Sequence, residues 1–225
     1  QLARADTALE AAAGLATASG SMSAAAWVAR VRGSIHLRRG RFDDAEREFT
    51  VALSLDPSYS HAHHWHSHYL MARGRVAESL AASQRALELD PVDVIINAHL
   101  AWHYWVARQY DECAEQCYKS RELDQYDHWP PFFLGLAYEQ KGMFGHAISE
   151  HRKALARSAA SPVMLGALGH TYLVAGQRSV GMDVLRQLEA VAKQRHVFAY
   201  EIALLYVALG NSDLAFQWLD QAFHE

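Results

Sequence analysis

Gly40, Gly74, Gly142, Gly176 and Gly210 lie on one arithmetic series with a step of 34 residues, and the remaining term of the series is Arg108. Three further columns run in the same register. Gly33, Ser67, Ala101, Gly135, Gly169 and Ala203 are all small, as are Ala45, Ser79, Cys113, Ala147, Gly181 and Ala215. His36, Leu70, Tyr104, Tyr138, Tyr172 and Tyr206 form a column that is mostly tyrosine. Self-similarity at a fixed period means that one supersecondary unit is repeated, and that each unit buries its apolar face only by stacking on its neighbours.

The period reads as a helix-turn-helix repeated six times. Helix A of each unit runs up to the column glycine, which accepts a left-handed backbone at little cost and ends the helix. Helix B follows at once, over Phe42 to Leu55 and Val76 to Leu89, and ends near Asp-Pro at Pro57 and Pro91, because proline and the residue before it both resist helical geometry. The small columns mark where A and B cross closely, and the tyrosines fill the space between adjacent pairs. Cys113 falls in a small crossing column and Cys117 in the apolar column of Phe49 and Leu185. Both therefore read as small core side chains in a reducing compartment, since a disulfide one helical turn apart would be strained.

The stretches GSIHLRRGRFDDAEREFTVALSLDP and IALLYVALGNSDLAFQWLDQAF carry this pattern of small, aromatic, small and proline positions, and they resemble tetratricopeptide repeats. The resemblance implies an all-α, right-handed superhelical α-solenoid spanning residues 1–225 as a single domain, with repeats at about 26–59, 60–93, 94–127, 128–161, 162–195 and 196–225 after an orphan helix and linker over 1–25. Residues 2–15 are similar to the B helix of a further, degenerate repeat. Local departures are Arg108 for the turn glycine, Gln125 and Ala159 for proline, and a rearranged linker from Ser158 to Pro162. The runs LSLDPSYSHAHHW and LELDPVDVIINAHLAWHYWVARQYDECAEQC are also similar to repeat arrays attached to winged-helix domains in bacterial transcriptional regulators. That likeness implies the sensing or interaction region of a larger regulatory protein.

With 51% hydrophobic and 20% charged residues the chain has the composition of a folded protein, and its net charge of −4 argues against direct nucleic-acid contact. No apolar run approaches the ~20 residues that span a bilayer. The N-terminal QLARADTALEAAAGLA is no signal peptide, so a cytoplasmic location is expected. The first residue is not Met, which suggests a processed chain or a fragment. No cofactor motif, phosphate-binding glycine loop or nucleophile elbow occurs, and the expectation is a protein that is not an enzyme. Arg30, Arg32, Arg38, Arg39 and Arg41 concentrate positive charge, but Asp43, Asp44, Glu46 and Glu48 follow, so a solvated, salt-bridged face is expected there.

The solenoid reading places a partner groove on the A helices. Carrying the register across gives Trp27, Arg30 and Ser34; then His61, His64 and His68; then Ile95, Ala98, Trp102 and Trp105. The later repeats give Trp129, Phe132 and Leu136, then Val163, Gly166 and His170, then Val197, Tyr200 and Leu204. Trp102, Trp105, Trp129 and Phe132 are expected to form an apolar surface for a protein or peptide segment. The Lys and Asn set with which some chaperone-binding repeats clamp a carboxylate is not matched: Arg30, Ser34, His64, His68, Ala98 and Trp102 stand there. The last helix is expected to leave an apolar outer face, with Trp218 and Phe223, as an end for self-association.

The run HAHHWHSHYL, residues 61–70, holds five histidines. His61, His64 and His68 fall on the groove stripe, whereas His63 and His66 turn to other faces, His66 into the packed column of Leu100 and Leu134. His64 and His68 are one turn apart, a spacing that lets two imidazoles reach one ion. The adjoining groove columns supply no good third ligand, and His61 lies two turns from His68. The run therefore reads as an aromatic, weakly basic wall of a binding groove without a metal. A small-molecule or metal-responsive sensor on this face is the alternative function.

Overall fold

The computed structural model describes residues 10–224 except 12, 16, 17, 19 and 193–198. The expected helix over 2–15 therefore falls largely outside the described residues, as does Val197. The chain divides into two compact units, residues 1–108 and 109–225.

The first unit holds α1 (Met22–Arg38), α2 (Phe42–Leu55), α3 (Ser60–Ala72), α4 (Val76–Leu89) and α5 (Val94–Val106). The second holds α6 (Tyr110–Leu123), α7 (Trp129–Gln140), α8 (Phe144–Arg157), α9 (Pro162–Val174), α10 (Arg178–Ala192), α11 (Ala199–Ala208) and α12 (Ser212–His224). The architecture is an all-α solenoid of helix pairs. Within the first unit each helix packs on the next, and the A helices also meet directly, α1 on α3 and α3 on α5. The same order holds in the second unit, with α7 on α9 and α9 on α11.

The turn glycines do what their column requires. Gly40, Gly74, Gly142, Gly176 and Gly210 all have φ between 68° and 78°, and Arg108 adopts φ 60° in the same place. Paired bonds satisfy the last helical carbonyls: Gly40 N–H donates to Leu37 O at 3.1 Å and Arg41 N–H to His36 O at 2.9 Å. The pattern recurs at Arg75 to Leu70, Met143 to Tyr138, Gln177 to Tyr172 and Asn211 to Tyr206, so at five of the turns the backbone acceptor is the tyrosine-column residue. Helices α2, α4 and α6 stop at Asp56, Asp90 and Asp124, whose φ near −142° takes the chain out of the helix. In the rearranged linker Ala159 and Ala160 both take positive φ, 50° and 60°.

The small column is a seat for the residue sixteen positions later. A Cβ on Gly33 would stand 2.7 Å from Phe49 Cε1, and one on Gly135 would stand 2.6 Å from the ring of His151. The sequence compensates by volume: Gly33 and Gly135 are followed by Phe49 and His151, while Ser67 and Ala101 are followed by Ser83 and Cys117; Gly169 instead lies against Val184 and Leu205. Core side chains interdigitate at crystal-like density, so the two columns must vary together. Phe49 is fully buried, and its truncation to Ala would cost about 3–5 kcal/mol. Cys113 and Cys117 are buried free thiols, and Cys113 Sγ lies 3.8 Å from Phe133 O.

The tyrosines do more than fill space. Tyr104 Oη accepts from Gln84 Nε2 at 3.0 Å, Tyr138 Oη meets Tyr118 Oη at 2.7 Å, and Tyr172 Oη accepts from Arg152 Nε at 2.9 Å. Each partner lies twenty residues earlier, on the preceding B helix. Tyr206 instead donates to Glu189 at 2.5 Å. Burial, then this carboxylate, pushes the Tyr206 phenol up to about 12.

Of the N-terminal arginines, Arg41 pairs with Asp44 and Arg32 with Glu10, whereas Arg30 and Arg38 lie over the rings of Trp27 and Trp65. At the far end Phe223 is 85% exposed, as is most of Phe216. Trp218, expected with Phe223 on that bare face, is half-buried against the core around Leu185 and Leu205.

Candidate functional site

The histidine run forms most of α3, and that helix lies against α5, which contributes His99, Trp102 and His103. His64, one turn from His68, is only 1% exposed. It is a core residue and not part of an open wall, because α5 covers it. Its ring lies 4.8 Å from that of His68 and 5.1 Å from that of His99, and the His68 and His99 rings are 5.1 Å apart, centroid to centroid. His68 Nε2 and His99 Nδ1 approach to 3.1 Å. His64 Nδ1 is buried with no hydrogen-bond partner among the described residues. Trp102 stacks on His68 at 5.1 Å and 20°, and Trp65 closes another side at 5.6 Å.

His103 completes the polar core of this layer and has a different task. Its Nε2 lies 3.0 Å from Ser67 Oγ and its Nδ1 3.0 Å from Ser79 Oγ. The same hydroxyls reach His64 O at 2.6 Å and Ser67 O at 2.7 Å. A neutral imidazole carries one N–H, so one of the two serines must turn its own proton toward the ring. Burial first, then the charge of neighbouring histidines, lowers the His103 pKa to about 2 and the His68 pKa to about 3. The same causes in the same order hold His64 far below the ordinary histidine range. These rings are neutral at physiological pH, with lone pairs available.

The remaining histidines of the run serve locally. His61 faces Asp93, with Nε2 3.5 Å from the carboxylate. His63 Nε2 donates to Pro57 O at 2.9 Å. His66 stacks on Tyr69 and packs beside Phe49, the packed position its column implies.

The other residues expected in the groove occupy varied environments. On α1, Arg30 lies 6.0 Å over the ring of Trp27, which is 43% exposed. Trp102 and Trp105 are half-buried on α5. On α7, Trp129 packs against Phe132 and stacks on Phe133, and Phe132 is buried, with little surface left for a partner. Tyr200 is exposed on α11. His170, half-buried on α9, holds Glu139 of α7, with Nδ1 3.1 Å from the carboxylate.

Glu139 and His99 are the polar residues that the groove columns miss. Glu139 stands in an otherwise apolar column with Leu37, Met71, Trp105, Leu173 and Val207. Burial would raise its pKa, but the hydrogen bond and charge of His170, with a 2.5 Å bond from Thr171 Oγ1, hold it below the usual carboxylate range. His99 sits one position past Ala98, the equivalent of His64 in the next repeat. Adjacent A helices bring it to His64 and His68.

No protein-family model and no curated protein matches the chain. Among solved structures it is similar to a chain of the APC/C hetero-tetramer Cut9-Hcn1, at 19% identity and a TM-score of 0.75, covering 97% of this chain and 43% of that one. The chain thus spans less than half the length of that relative. It is similar to PilF of Pseudomonas aeruginosa at 16% identity and a TM-score of 0.67, over 88% of this chain and 90% of that one. A thermophilic TPR protein of Thermus thermophilus matches at 19% identity and a TM-score of 0.72, over 82% of this chain and 99% of that one. The fold is that of tetratricopeptide repeats.

Proposed function

We propose that the chain is a non-enzymatic tetratricopeptide scaffold whose A helices bind a protein or peptide segment. One observation carries this reading. Trp27 of α1 and Ile95 of α5, both in the first unit, occupy the same repeat position, and each is an exposed apolar side chain, by 43% and 55%. A single exposed apolar residue on a surface is ordinary. Recurrence at one register position, on two A helices of the same unit, gives an apolar segment more than one side chain to grip. Half-buried aromatics of the same unit, Trp102 and Trp105 on α5, supply anchors of the type that dominates binding energy.

No helix among the described residues is long and apolar enough to cross a membrane. The likeness of the histidine-rich repeats to arrays attached to winged-helix domains supports a place within a larger, cytoplasmic bacterial regulatory protein. In that setting the scaffold holds a protein segment and makes no contact with nucleic acid. The exposed Phe216 and Phe223 support self-association through the last repeat.

The test is selection from a random-peptide display library, followed by fluorescence anisotropy with the most enriched peptide. Trp27→Ser and Ile95→Ser are each expected to weaken binding about tenfold, ~1.4 kcal/mol. Val51→Ser, at an exposed position of α2, is expected to leave it unchanged. Equal binding by the wild-type chain and by Trp27→Ser and Ile95→Ser would reject the reading.

A further inference from the structure

We propose that His64, His68 and His99 form a binding site for one divalent late first-row transition-metal ion, with a fourth coordination position filled by water or by a ligand atom from outside the chain. One nitrogen from each ring lies within 4.8 Å of the other two. A tetrahedral ion with metal–nitrogen bonds of ~2.0–2.1 Å holds its ligand nitrogens ~3.3 Å apart and the centroids of its imidazole rings roughly 5 Å apart. The three centroid separations, 4.8, 5.1 and 5.1 Å, already have that size. The 3.1 Å approach of His68 Nε2 to His99 Nδ1 is one edge of such a tetrahedron. The other edges, with ligand atoms within 4.8 Å, would close by rotation of rings.

The unpartnered Nδ1 of His64 is the independent indication. A buried polar atom without a hydrogen bond is costly, and a metal ion is a partner that a neutral imidazole nitrogen can accept. The two other histidines nearby are otherwise engaged: His103 uses both nitrogens on Ser67 and Ser79, and His61 faces Asp93.

The donor set selects the ion class. Three imidazoles without an oxygen donor do not suit Ca²⁺ or Mg²⁺, which take oxygen ligands. They suit Zn²⁺, Ni²⁺ and Cu²⁺. His64 and His68 come from α3 and His99 from α5, so a bound ion would clamp the A helices of adjacent repeats. The site depends on the histidine geometry alone and is independent of the peptide-binding reading.

The test titrates ZnCl₂ into the full, tag-free chain against a chromophoric chelator. One equivalent is expected to bind with a Kd below about 1 µM. His99→Ala is expected to weaken binding at least about tenfold, while His61→Ala leaves it unchanged. Ring-nitrogen NMR of the wild-type chain provides a readout that needs no variant: the first equivalent should move the resonances of His64, His68 and His99. Absence of saturable binding at one equivalent, wild-type affinity in a folded His99→Ala, or shifts confined to other histidines would each overturn the proposal.

Discussion

The imidazole of His151 lies over Gly135 so closely that a single methyl group there would meet the ring at 2.6 Å. The ring is fully buried on α8, so it has nowhere to withdraw. Gly135→Ala is expected to destabilise the chain by about 1–3 kcal/mol, as overpacking does, measured from the urea midpoint. Combining it with His151→Ser, the pairing of small with small found at Ser67 and Ser83, should cost less than the sum of the two single changes.

Acid should weaken the same layer. Burial, partly opposed by Glu139 and reinforced by His170, lowers the His151 pKa to about 4. The unfolded chain takes up its proton near the ordinary value of ~6.5, so the folded state binds fewer protons between those pH values and stability falls as pH drops. His151 contributes fully above ~6.5 and loses its contribution progressively toward pH ~4, with a slope of up to ~1.4 kcal/mol per pH unit. The difference in unfolding free energy between neutral and mildly acidic buffer is expected to shrink in His151→Met. An unchanged difference would show that His151 is not the titrating group.

Arg108 occupies the turn that glycine fills in five other repeats, with φ at 60°. A left-handed non-glycine residue costs about 1–2 kcal/mol, and glycine returns about 0.4–1 kcal/mol of that through its freer unfolded chain. Arg108→Gly is therefore expected to raise stability by roughly 0.5–1 kcal/mol, seen as a higher urea midpoint with helicity unchanged. Its side chain is exposed, so no packing is lost.

Removing the Tyr206 hydroxyl isolates the bond to Glu189 from the packing of the ring. Tyr206→Phe is expected to cost about 0.5–1.5 kcal/mol, and Tyr206→Leu more, because the ring itself packs against the core around Leu185 and Leu188. A double-mutant cycle of Tyr172→Phe with Arg152→Ala should show the same order of coupling.

Much of this fold was legible because backbone constraints repeat. A left-handed turn requires glycine wherever it recurs, so the period of 34 located the helix ends, and even its exception, Arg108, keeps the conformation of its column. The buried state of Cys113 and Cys117 followed from the same register. The histidine site was only half legible. His64 and His68 share a helix and could be paired by spacing, whereas His99 comes from another helix and sits one residue outside the equivalent column. The side on which α5 approaches α3 is set by packing, which also buries His64, and no period within one chain segment encodes it. Glu139 had a readable mark, a carboxylate among Leu37, Met71, Trp105, Leu173 and Val207. Its partners His170 and Thr171 lie on the next A helix.

The phenol at the end of α5, α7, α9 and α11 acts as a common adaptor. A hydroxyl that both gives and takes a proton meets an amide at Gln84, another phenol at Tyr118, a guanidinium at Arg152 and a carboxylate at Glu189, with the same ring standing in the same place. The B-helix surface can therefore drift in sequence without loosening the junction behind it. Among the repeats that carry the tyrosine, a unit of 34 residues could be gained or lost with a phenol still present at each new junction. The array is in this sense a chain of standard couplings, free to change length while each link keeps its grip.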